Sequence, residues 1–518
     1  MGIYVLVYLG SLSLALAITP VVIRVARRLG IVRIPGARHM HTQPISHIGG
    51  VAIFLSVITA SFAALWFSNL LGTVGPPVLT QLRILLVAAG FMFAVGLIDD
   101  VKTRGLRAQT KFAAQIAAAL LVCIGGMRIQ SVVVTESLTL NFGWFSWPLT
   151  ILWIVGLTNA VNLSDGLDGL AAGICAVACG AMAVFAASAG NIAAVVLMLA
   201  LLGGVTGFLV FNFNPARIFM GDCGSMFLGF TIASVGVYCS ARSSALVGLA
   251  LPALALGIPI FDTLFSMLRR FLERRSIFSA DRGHFHHRLI DLGLTQRQAV
   301  VTIYAVTLPA TGLGMLMMVV RPGHALILLV CILLLLLLVF RVVGSIRPGH
   351  IVAAFQKRHT IIHREHEERK SFEEADLYFR RAGTFDQWWQ AISTAADKME
   401  FWTVDLPLVN RDGTARALTW RHNSQIPDPN PGGLLQVHVP VRDRRSGSSL
   451  YLKIELYRNG SLESAGRKVA LFTRLIEEHD IVSLPPDRRG AQGAGGDRAP
   501  LYFRAPNSAA ATRTKLYE

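Results

Sequence analysis

The chain has 518 residues, of which 53% are hydrophobic and only 15% are charged. Its mean hydropathy of +0.53 excludes an ordinary soluble protein. The net charge of +17 would suit a nucleic-acid-binding protein, but the basic residues lie in alternate loops, as they do in membrane proteins. A protein of the lipid bilayer is therefore predicted, and nucleic acid is excluded as a partner. Six cysteines, mostly within apolar runs, indicate no disulfide framework.

Apolar runs of about 17 to 25 residues, the length that crosses a bilayer, recur along the first two thirds of the chain. They predict about eleven transmembrane helices, at 3–23, 48–70, 82–98, 111–126, 147–163, 167–188, 191–211, 225–241, 244–262, 301–320 and 325–343. The first run is expected to be a retained span, because it has no basic residues before it. The positive-inside rule places the N-terminus outside and the C-terminus in the cytoplasm, because five arginines and no acid follow the first run.

The stretch 159–173, NAVNLSDGLDGLAAG, is the most polar interruption between two apolar runs. Asn159, Asn162, Asp165 and Asp168 recur every third residue, a spacing that keeps neighbouring members on one side of a helix. Ionisable groups at a membrane boundary are costly and usually functional. The alternative is a capped helix end with glycines that ease helix packing, but a cap needs only one carboxylate.

A pair of acidic residues, Asp99 and Asp100, ends the third predicted helix, and Lys111 follows it. Paired carboxylates at a membrane edge can hold a divalent cation or accept a proton. The sequence does not assign these roles, because adjacent residues on a helix diverge by about 100°. A charged helix terminus with neighbouring counter-ions is the alternative.

Between the seventh and eighth helices, the segment FNFNPARIFMGDCGS places Asp222 between two glycines just before a helix. A carboxylate beside free backbone donors suits a Mg²⁺ ion that bridges to a diphosphate. The alternative is an aspartate that only caps the eighth helix.

Two further segments carry histidines. HMHTQPISHIGG includes His41 and ends in a glycine pair at a helix start, which suits an anion, although a plain loop-to-helix turn is the better explanation of this segment taken alone. The long loop 262–298 contains seven arginines and the cluster His284, His286 and His287. Its spacing lacks the pattern of a zinc finger, so a clamp for phosphate or a sugar nucleotide is the simpler interpretation. A merely solvated basic loop is the alternative.

From about Gly344 the composition becomes charged and mixed. Residues 345–484 are predicted to form a small cytoplasmic α+β domain, with helices around 350–379, 384–399 and 465–479 and alternating strands between the last two. No catalytic constellation is visible in it. Residues 485–518 are rich in Gly, Ala, Pro and Arg and are predicted to be a disordered tail.

Taken together, these segments resemble the polyprenyl-phosphate N-acetylhexosamine-1-phosphate transferase family, glycosyltransferase family 4. The resemblance covers roughly residues 1–345 and lies in an ordered set of motifs: HTQP with GG, DD with a downstream Lys, NAVNLSDGLDGL, FNFNPARIFMGDCGS, and PIFDT followed by DRGHFHHRL. It implies an all-α polytopic membrane protein, 1–344, with the small cytoplasmic α+β domain appended.

The resemblance also implies residue roles. Asp222 matches the magnesium-ligating aspartate, with Asn162 beside it, and Mn²⁺ is an alternative metal. Asp99 and Asp100 match a catalytic pair, of which Asp99 is the candidate for deprotonating the lipid phosphate, and Asp165 and Asp168 belong to the same nucleotide-sugar and metal surround. The implied substrate-binding residues are His41, Lys111, Asn159, Asn162, Asn214, His284, His286, His287 and Arg288.

The implied activity is transfer of N-acetylglucosamine-1-phosphate from UDP-N-acetylglucosamine to undecaprenyl phosphate at the bacterial inner membrane. Such a reaction releases UMP and starts a lipid-linked cell-envelope glycan, such as lipopolysaccharide or teichoic acid. Another UDP-N-acetylhexosamine is the alternative substrate, and a homodimer is an open alternative to a monomer. A membrane transporter is the alternative class, but its charged groups should lie near the bilayer midplane in repeated halves. A receptor-like regulator is disfavoured by the intact acidic residues.

Overall fold

The computed structural model describes residues 2–33, 45–70, 76–102, 105–240, 245–273, 276, 283–344, 348–409, 415–422, 434–441, 450–457 and 462–479. The chain divides into two compact units, Met1–Ala354 and Phe355–Glu518.

The first unit is mostly helical. Its helices are α1 (Gly2–Arg28), α2 (Gly50–Leu70), α3 (Pro76–Val101), α4 (Ala108–Ile124), α5 (Ser146–Ser164), α6 (Leu170–Ser188), α7 (Ile192–Asn212), α8 (Gly221–Ser240), α9 (Ala245–Ala255), α10 (Gly257–Leu272), α11 (Phe285–Asp291), α12 (Gln296–Met315) and α13 (Pro322–Val342). Short antiparallel pairs join β1 (Val32–Arg33) to β2 (Ile45–Ser46) and β3 (Ser131–Val133) to β4 (Thr139–Asn141).

Ten of the eleven predicted apolar runs each overlap one α-helix, and the run 244–262 is divided between α9 and α10. Among the described residues, eight helices are long and apolar enough to cross a membrane, and a bent pair makes a ninth if it is counted as one span. Two apolar helices, Gly50–Ala64 and Ala108–Ile124, are shorter than that criterion. The chain is therefore a multi-pass membrane protein with eight or nine candidate spans, by length and composition, in its described part, and the predicted count of eleven is not confirmed.

The span predicted at 244–262 is divided between two helices. The helix bends by 76° between α9 and α10, because Pro259 has no N–H to donate to the carbonyl of Ala255 four residues earlier. Helix α10 then continues to Leu272. The segment 262–298 is consequently not one long loop, since it begins with helix and contains α11.

Helix α8 is the centre of the first unit. All 18 residues of its most apolar window are buried, and it packs against α2, α3, α5 and α9. Gly229 permits close packing on α5, because a Cβ there would lie 2.9 Å from the Cα of Thr158. The apolar side chains of α8 therefore contact protein rather than lipid, and its first turn is held against the last turn of α3.

The second unit is a small α+β structure. It contains most of α14 (Pro348–Arg381), whose first residues belong to the first unit. It also contains α15 (Phe385–Lys398), β5 (Phe401–Val409), β6 (Ala415–Arg421), β7 (Leu434–Val441), β8 (Leu450–Tyr457) and α16 (Leu462–Glu478). The strands form an antiparallel sheet in the order β6-β5-β8-β7. Alternate residues of β5, Val404, Leu406 and Leu408, are buried, as expected for a sheet with one covered face. The predicted helices and strands of this unit are confirmed, and the predicted tail, 485–518, lies outside the described residues.

Candidate active site

A lysine joins two carboxylates from different helices. The Nζ atom of Lys111, in the first turn of α4, lies 2.8 Å from Oδ2 of Asp222 and 3.2 Å from Oδ2 of Asp99. Asp99 ends α3 and Asp222 begins α8, so the cluster forms where three helix ends meet. These side chains are only partly exposed, at 14 to 27%, so water screens their attraction less than it would at a free surface.

Glycines permit this meeting of helices. A Cβ at Gly96 of α3 would lie 2.5 Å from the carbonyl oxygen of Asp222, and a Cβ at Gly50 of α2 would lie 2.2 Å from the backbone nitrogen of Gly224. Both distances are far below van der Waals contact, and both opposing atoms are backbone. Any larger residue at Gly96 or Gly50 would therefore push the first turn of α8 away, and Asp222 with it.

Asp100 holds the start of α8 from the other side. Its Oδ1 accepts from the backbone N–H of Asp222 at 3.0 Å, and its Oδ2 accepts from that of Cys223 at 2.9 Å. The carboxylate thus satisfies two of the backbone donors that every helix leaves unpaired at its N-terminus. His47 lies beside it, with Nε2 at 2.8 Å from the Asp100 carbonyl oxygen. The geometry of Asp100 is that of a residue that fixes the position of Asp222.

The polar residues of α5 divide into two roles. Asn162 donates through Nδ2 to Oδ1 of Asp222 at 3.1 Å and to Oγ of Ser225 at 2.9 Å. Asn159 instead pairs with Gln115 of α4, to which its Nδ2 donates at 2.6 Å. Asn162 thereby orients the Asp222 carboxylate, whereas the pair of Asn159 and Gln115 fastens α5 to α4.

The polar stretch 159–173 is not one continuous helical face. Helix α5 ends at Ser164, and a turn follows in which Gly169 takes a φ of 81° before α6 begins. Asp165 therefore caps the end of α5, and Asp168 lies in the turn. The Oδ2 of Asp168 accepts from Nδ2 of Asn214 at 3.0 Å and from the backbone N–H of Ala216 at 3.1 Å. The expected single face fails because the glycines of this stretch stop the helix.

The histidine cluster lies against the same turn. The ring of His286 is 5.5 Å from that of His284, nearly parallel to it, and 4.4 Å from that of His287. A Cβ at Gly166 would lie 3.0 Å from Nε2 of His286. The turn after α5 therefore faces the histidines, while the last turn of α5 contacts Asp222.

Burial keeps His286 neutral. The residue is 4% exposed, and desolvation lowers the pKa of its imidazole to about 3 against an attraction from Asp262. Arg288 follows in α11. His41 lies outside the described residues.

One carboxylate oxygen from each of Asp99, Asp100 and Asp222 lies within 4.8 Å of the other two. Three carboxylates and the ammonium of Lys111 leave two negative charges, and oxygen donors are what hard divalent cations prefer. The donor set therefore fits Mg²⁺ or Mn²⁺. The other group of potential ligands found in the described residues is Asp376, Glu478 and His479 of the second unit, where Asp376 and Glu478 already pair with arginines.

Sequence reasoning missed three residues of this region: Asp262, Ser225 and Gln115. Asp262 contacts the histidine cluster, with its Oδ2 3.2 Å from Nδ1 of His284. It carried the same signal as Asp99, an acid at the end of an apolar run. The polar partners Ser225 and Gln115 carried none, because their contacts cross between helices far apart in sequence.

A membrane protein whose helix ends converge on carboxylates and a lysine, with a histidine cluster against the adjoining turn, has the features of an intramembrane enzyme. Comparison with known proteins identifies the class. The model of the family "Glycosyl transferase family 4" matches residues 82–240, a range that contains Asp99, Lys111, Asn162 and Asp222.

Three relatives illustrate the range of similarity. A Bacillus subtilis protein named "Probable undecaprenyl-phosphate N-acetylglucosaminyl 1-phosphate transferase" is 38% identical over 305 residues, 58% of this chain and 81% of that protein. The decaprenyl-phosphate N-acetylglucosaminephosphotransferase of Mycobacterium tuberculosis is 34% identical over 54% of this chain and 74% of its own. A phospho-N-acetylmuramoyl-pentapeptide-transferase of Halalkalibacterium halodurans is 33% identical over 58% of this chain and 92% of its own.

The chain belongs to glycosyl transferase family 4, whose relatives named above are sugar-phosphate transferases. The predicted resemblance is thereby confirmed.

Proposed function

We propose that this protein transfers N-acetylglucosamine-1-phosphate from UDP-N-acetylglucosamine to a polyprenyl phosphate, undecaprenyl phosphate in a bacterial inner membrane, and releases UMP. The cluster in which Lys111 joins Asp99 to Asp222 is the observation that carries this proposal. The names of the Bacillus and Mycobacterium relatives support the choice of sugar and lipid.

The position of the cluster favours an enzyme over a transporter. Asp99, Lys111 and Asp222 lie in the first or last turns of their helices, not in mid-helix, where a transporter site near the bilayer midplane would lie. A lipid phosphate can reach such a helix end while its tail stays in the bilayer. We assign this end to the cytoplasmic side, because the adjacent segment 102–111 carries four basic residues.

The reaction is a phosphoryl transfer, for which a protein mainly supplies position and charge. An oxygen of the lipid phosphate attacks the β-phosphorus of the UDP-sugar and forms the new P–O bond. The bond from that phosphorus to the bridging oxygen breaks, and UMP departs with its electron pair. Asp99 takes the remaining proton of the lipid phosphate when one is present, and its position beside Lys111 keeps it oriented for this step.

Each side chain of the cluster then has a distinct task. Lys111 offsets the charge of two carboxylates and lies within reach of a bound phosphate. Asn162 and Asp100 hold Asp222 in place, the first through its side chain and the second through the backbone of α8. A Mg²⁺ ion held by Asp222 and Asp99 would neutralise the diphosphate and so improve UMP as a leaving group.

A second sugar is supported by one observation. The Halalkalibacterium relative, named for phospho-N-acetylmuramoyl-pentapeptide transfer, is 33% identical over 92% of its length. The same site would thus serve another UDP-N-acetylhexosamine without a change in chemistry. The product would in either case start or extend a lipid-linked glycan of the cell envelope.

The test is release of UMP by the purified full-length protein in lipid with undecaprenyl phosphate. UDP-N-acetylglucosamine and UDP-N-acetylmuramoyl-pentapeptide are compared, each with Mg²⁺ and with a chelator. The proposal expects release that needs both lipid phosphate and metal, and a clear preference for the first sugar. Preference for UDP-N-acetylmuramoyl-pentapeptide would show that the proposed sugar is wrong. No release from either UDP-sugar would refute the proposed transferase activity.

Two variants locate the activity. Asp222→Ala should abolish release, whereas Glu136→Ala should leave it unchanged. Glu136 is a matched control because it is an acid of the same unit, 70% exposed in its side chain and paired only loosely with Arg321 at 3.7 Å. Equal losses in both variants would show that Asp222 has no specific role.

A further inference from the structure

Helix α10 presents a polar face to the histidine cluster. Asp262, Ser266 and Arg269 are spaced four and three residues apart and so lie along one side of the helix. Asp262 and Ser266 are 6% and 0% exposed. A buried carboxylate is costly unless its oxygens are hydrogen-bonded, so the partners of Asp262 indicate its use.

Those partners all belong to the segment that carries the histidines. Oδ1 of Asp262 accepts from the backbone N–H of Phe285 at 2.8 Å. Oδ2 lies 3.2 Å from Nδ1 of His284 and 3.8 Å from Nδ1 of His286. The backbone N–H of Phe285 and two imidazole rings thus lie around the single carboxylate of Asp262.

Arg269 holds the same segment two turns further along α10. Its Nη2 donates to the carbonyl oxygen of Gly283 at 3.0 Å. A Cβ at Gly283 would overlap the Arg269 guanidinium, with Nη1 only 1.1 Å away. The histidine segment is therefore held against α10 at two positions, at Gly283 by Arg269 and at Phe285 by Asp262.

The contacts of Asp262 determine where the proton of the His284 ring lies. A carboxylate only accepts hydrogen bonds, so the ring nitrogen that faces it must donate. His284, at 3.2 Å, then carries a proton on Nδ1. The Nδ1 of His286 lies 3.8 Å from the same oxygen, beyond hydrogen-bond distance, and its Nε2 faces the turn at Gly166.

We propose that Asp262 is a positioning residue that fixes the Nδ1-protonated form of His284 and so leaves the Nε2 of that ring as an acceptor for the substrate. This inference rests on the proposed transferase function for its kinetic consequence only, because the protonation pattern itself does not depend on activity.

Asp262→Asn tests the proposal with little change in shape. An asparagine has one acceptor oxygen, so it cannot accept from both Phe285 N–H and a histidine Nδ1–H. If the asparagine oxygen keeps its hydrogen bond from the Phe285 N–H, the asparagine NH₂ group faces the histidine. The Nδ1 atom must then accept a hydrogen bond, so the ring proton moves to Nε2. Turnover should fall by at least about 10²-fold, because an orienting aspartate changed to asparagine lowers kcat about 10⁴-fold where the histidine is itself the general base.

Thr263→Val is the matched control. Thr263 is the next residue on the same helix and is 7% exposed, and its Oγ1 is buried without a hydrogen-bond partner in the described part of the chain. The change keeps the shape of the side chain and removes a hydroxyl that has no partner among the described residues. This variant should retain wild-type turnover.

The readout specific to positioning is the nitrogen spectrum of ¹⁵N-histidine-labelled full-length protein in lipid vesicles. Signals are assigned from His284→Gln and His286→Gln difference spectra. The wild type should show protonated Nδ1 in the His284 ring, and Asp262→Asn should move that proton to Nε2. A wild-type His284 ring protonated on Nε2 would overturn the proposal, even if the variant does not fold.

The remaining outcomes also test the proposed role of Asp262. Wild-type turnover in Asp262→Asn, equal losses in Asp262→Asn and Thr263→Val, or lost turnover without a change in the His284 ring would each overturn it. An inactive wild type with the expected ring protonation would refute the transferase and leave the role of Asp262 in orienting the His284 ring intact.

Discussion

Replacing Gly96 with alanine should disable the site without touching any polar group. The new Cβ would lie 2.5 Å from the carbonyl oxygen of Asp222 and 2.5 Å from the Cα of Cys223, whereas ordinary contact begins at 3.4 Å. The backbone at the start of α8 must therefore move by about 1 Å, and a misplacement of that size can lower a rate about 10²-fold. Asp222 would leave its place beside Lys111. The assay is metal-dependent release of UMP from UDP-N-acetylglucosamine.

Gly90→Ala provides the control on the same helix. Both changes replace a glycine inside α3 and so gain helix propensity of about 1 kcal/mol. A Cβ at Gly90 would meet only the ring of Phe54, at 3.9 Å, so this variant should keep its activity and unfold at the same or a higher temperature. If Gly96→Ala retains more than half of the wild-type rate, α8 adapts to the clash, and the argument from close packing is refuted.

Three further predictions concern single side chains. Asp100→Asn leaves one acceptor for two backbone donors at the start of α8, so the free energy of unfolding should fall by about 2 kcal/mol; an unchanged melting temperature would contradict this. The pKa of His286 is about 3 when folded and 6.5 in the absence of burial, so the unfolded state binds more protons between these values and stability should fall as the pH drops below 6.5. The slope should approach 1.4 kcal/mol per pH unit, and His286→Gln should reduce it in pH-dependent thermal melts. His479→Ala removes a 2.7 Å bond to the partly buried Asp376 and should destabilise the end of α16 by about 0.5–1 kcal/mol, which hydrogen exchange of the full-length protein would detect as a two- to fivefold faster rate.

Local pattern was enough to predict most secondary structure. Apolar runs of bilayer length placed helices correctly because every backbone group in lipid must be paired within its own segment. Alternating residues such as those of β8 placed the strands of the second unit, because side chains on a strand point to opposite faces. The presence of Pro259 indicated that the helix could bend near this residue. The sequence alone does not determine whether a proline bends a span or is accommodated within it.

Pairing of polar residues was not predictable in the same way. The regular spacing of Asn159, Asn162, Asp165 and Asp168 suggested one face, yet each of the three with a described side-chain contact faces a different partner. Asn162 bonds to Asp222, 60 residues later, and Asp168 bonds to Asn214, 46 residues later. Such contacts depend on which helices pack together, and that is decided by the close approach of small residues on several helices at once.

The sequence by itself determined that this is a multi-pass membrane protein with an appended α+β unit, and the ordered motifs identified its family. It also supplied the residues that carry the chemistry, because charged groups in apolar surroundings stand out. Only the tertiary structure decided which partner each of these residues contacts. It joined Asp99 and Asp222 through Lys111, turned Asp100 toward the backbone of α8, and placed Asp262 behind the histidines. The physical reason is that helix propensity and hydropathy act over a few residues, whereas a buried carboxylate is paired by whichever donor the packed helices bring to it.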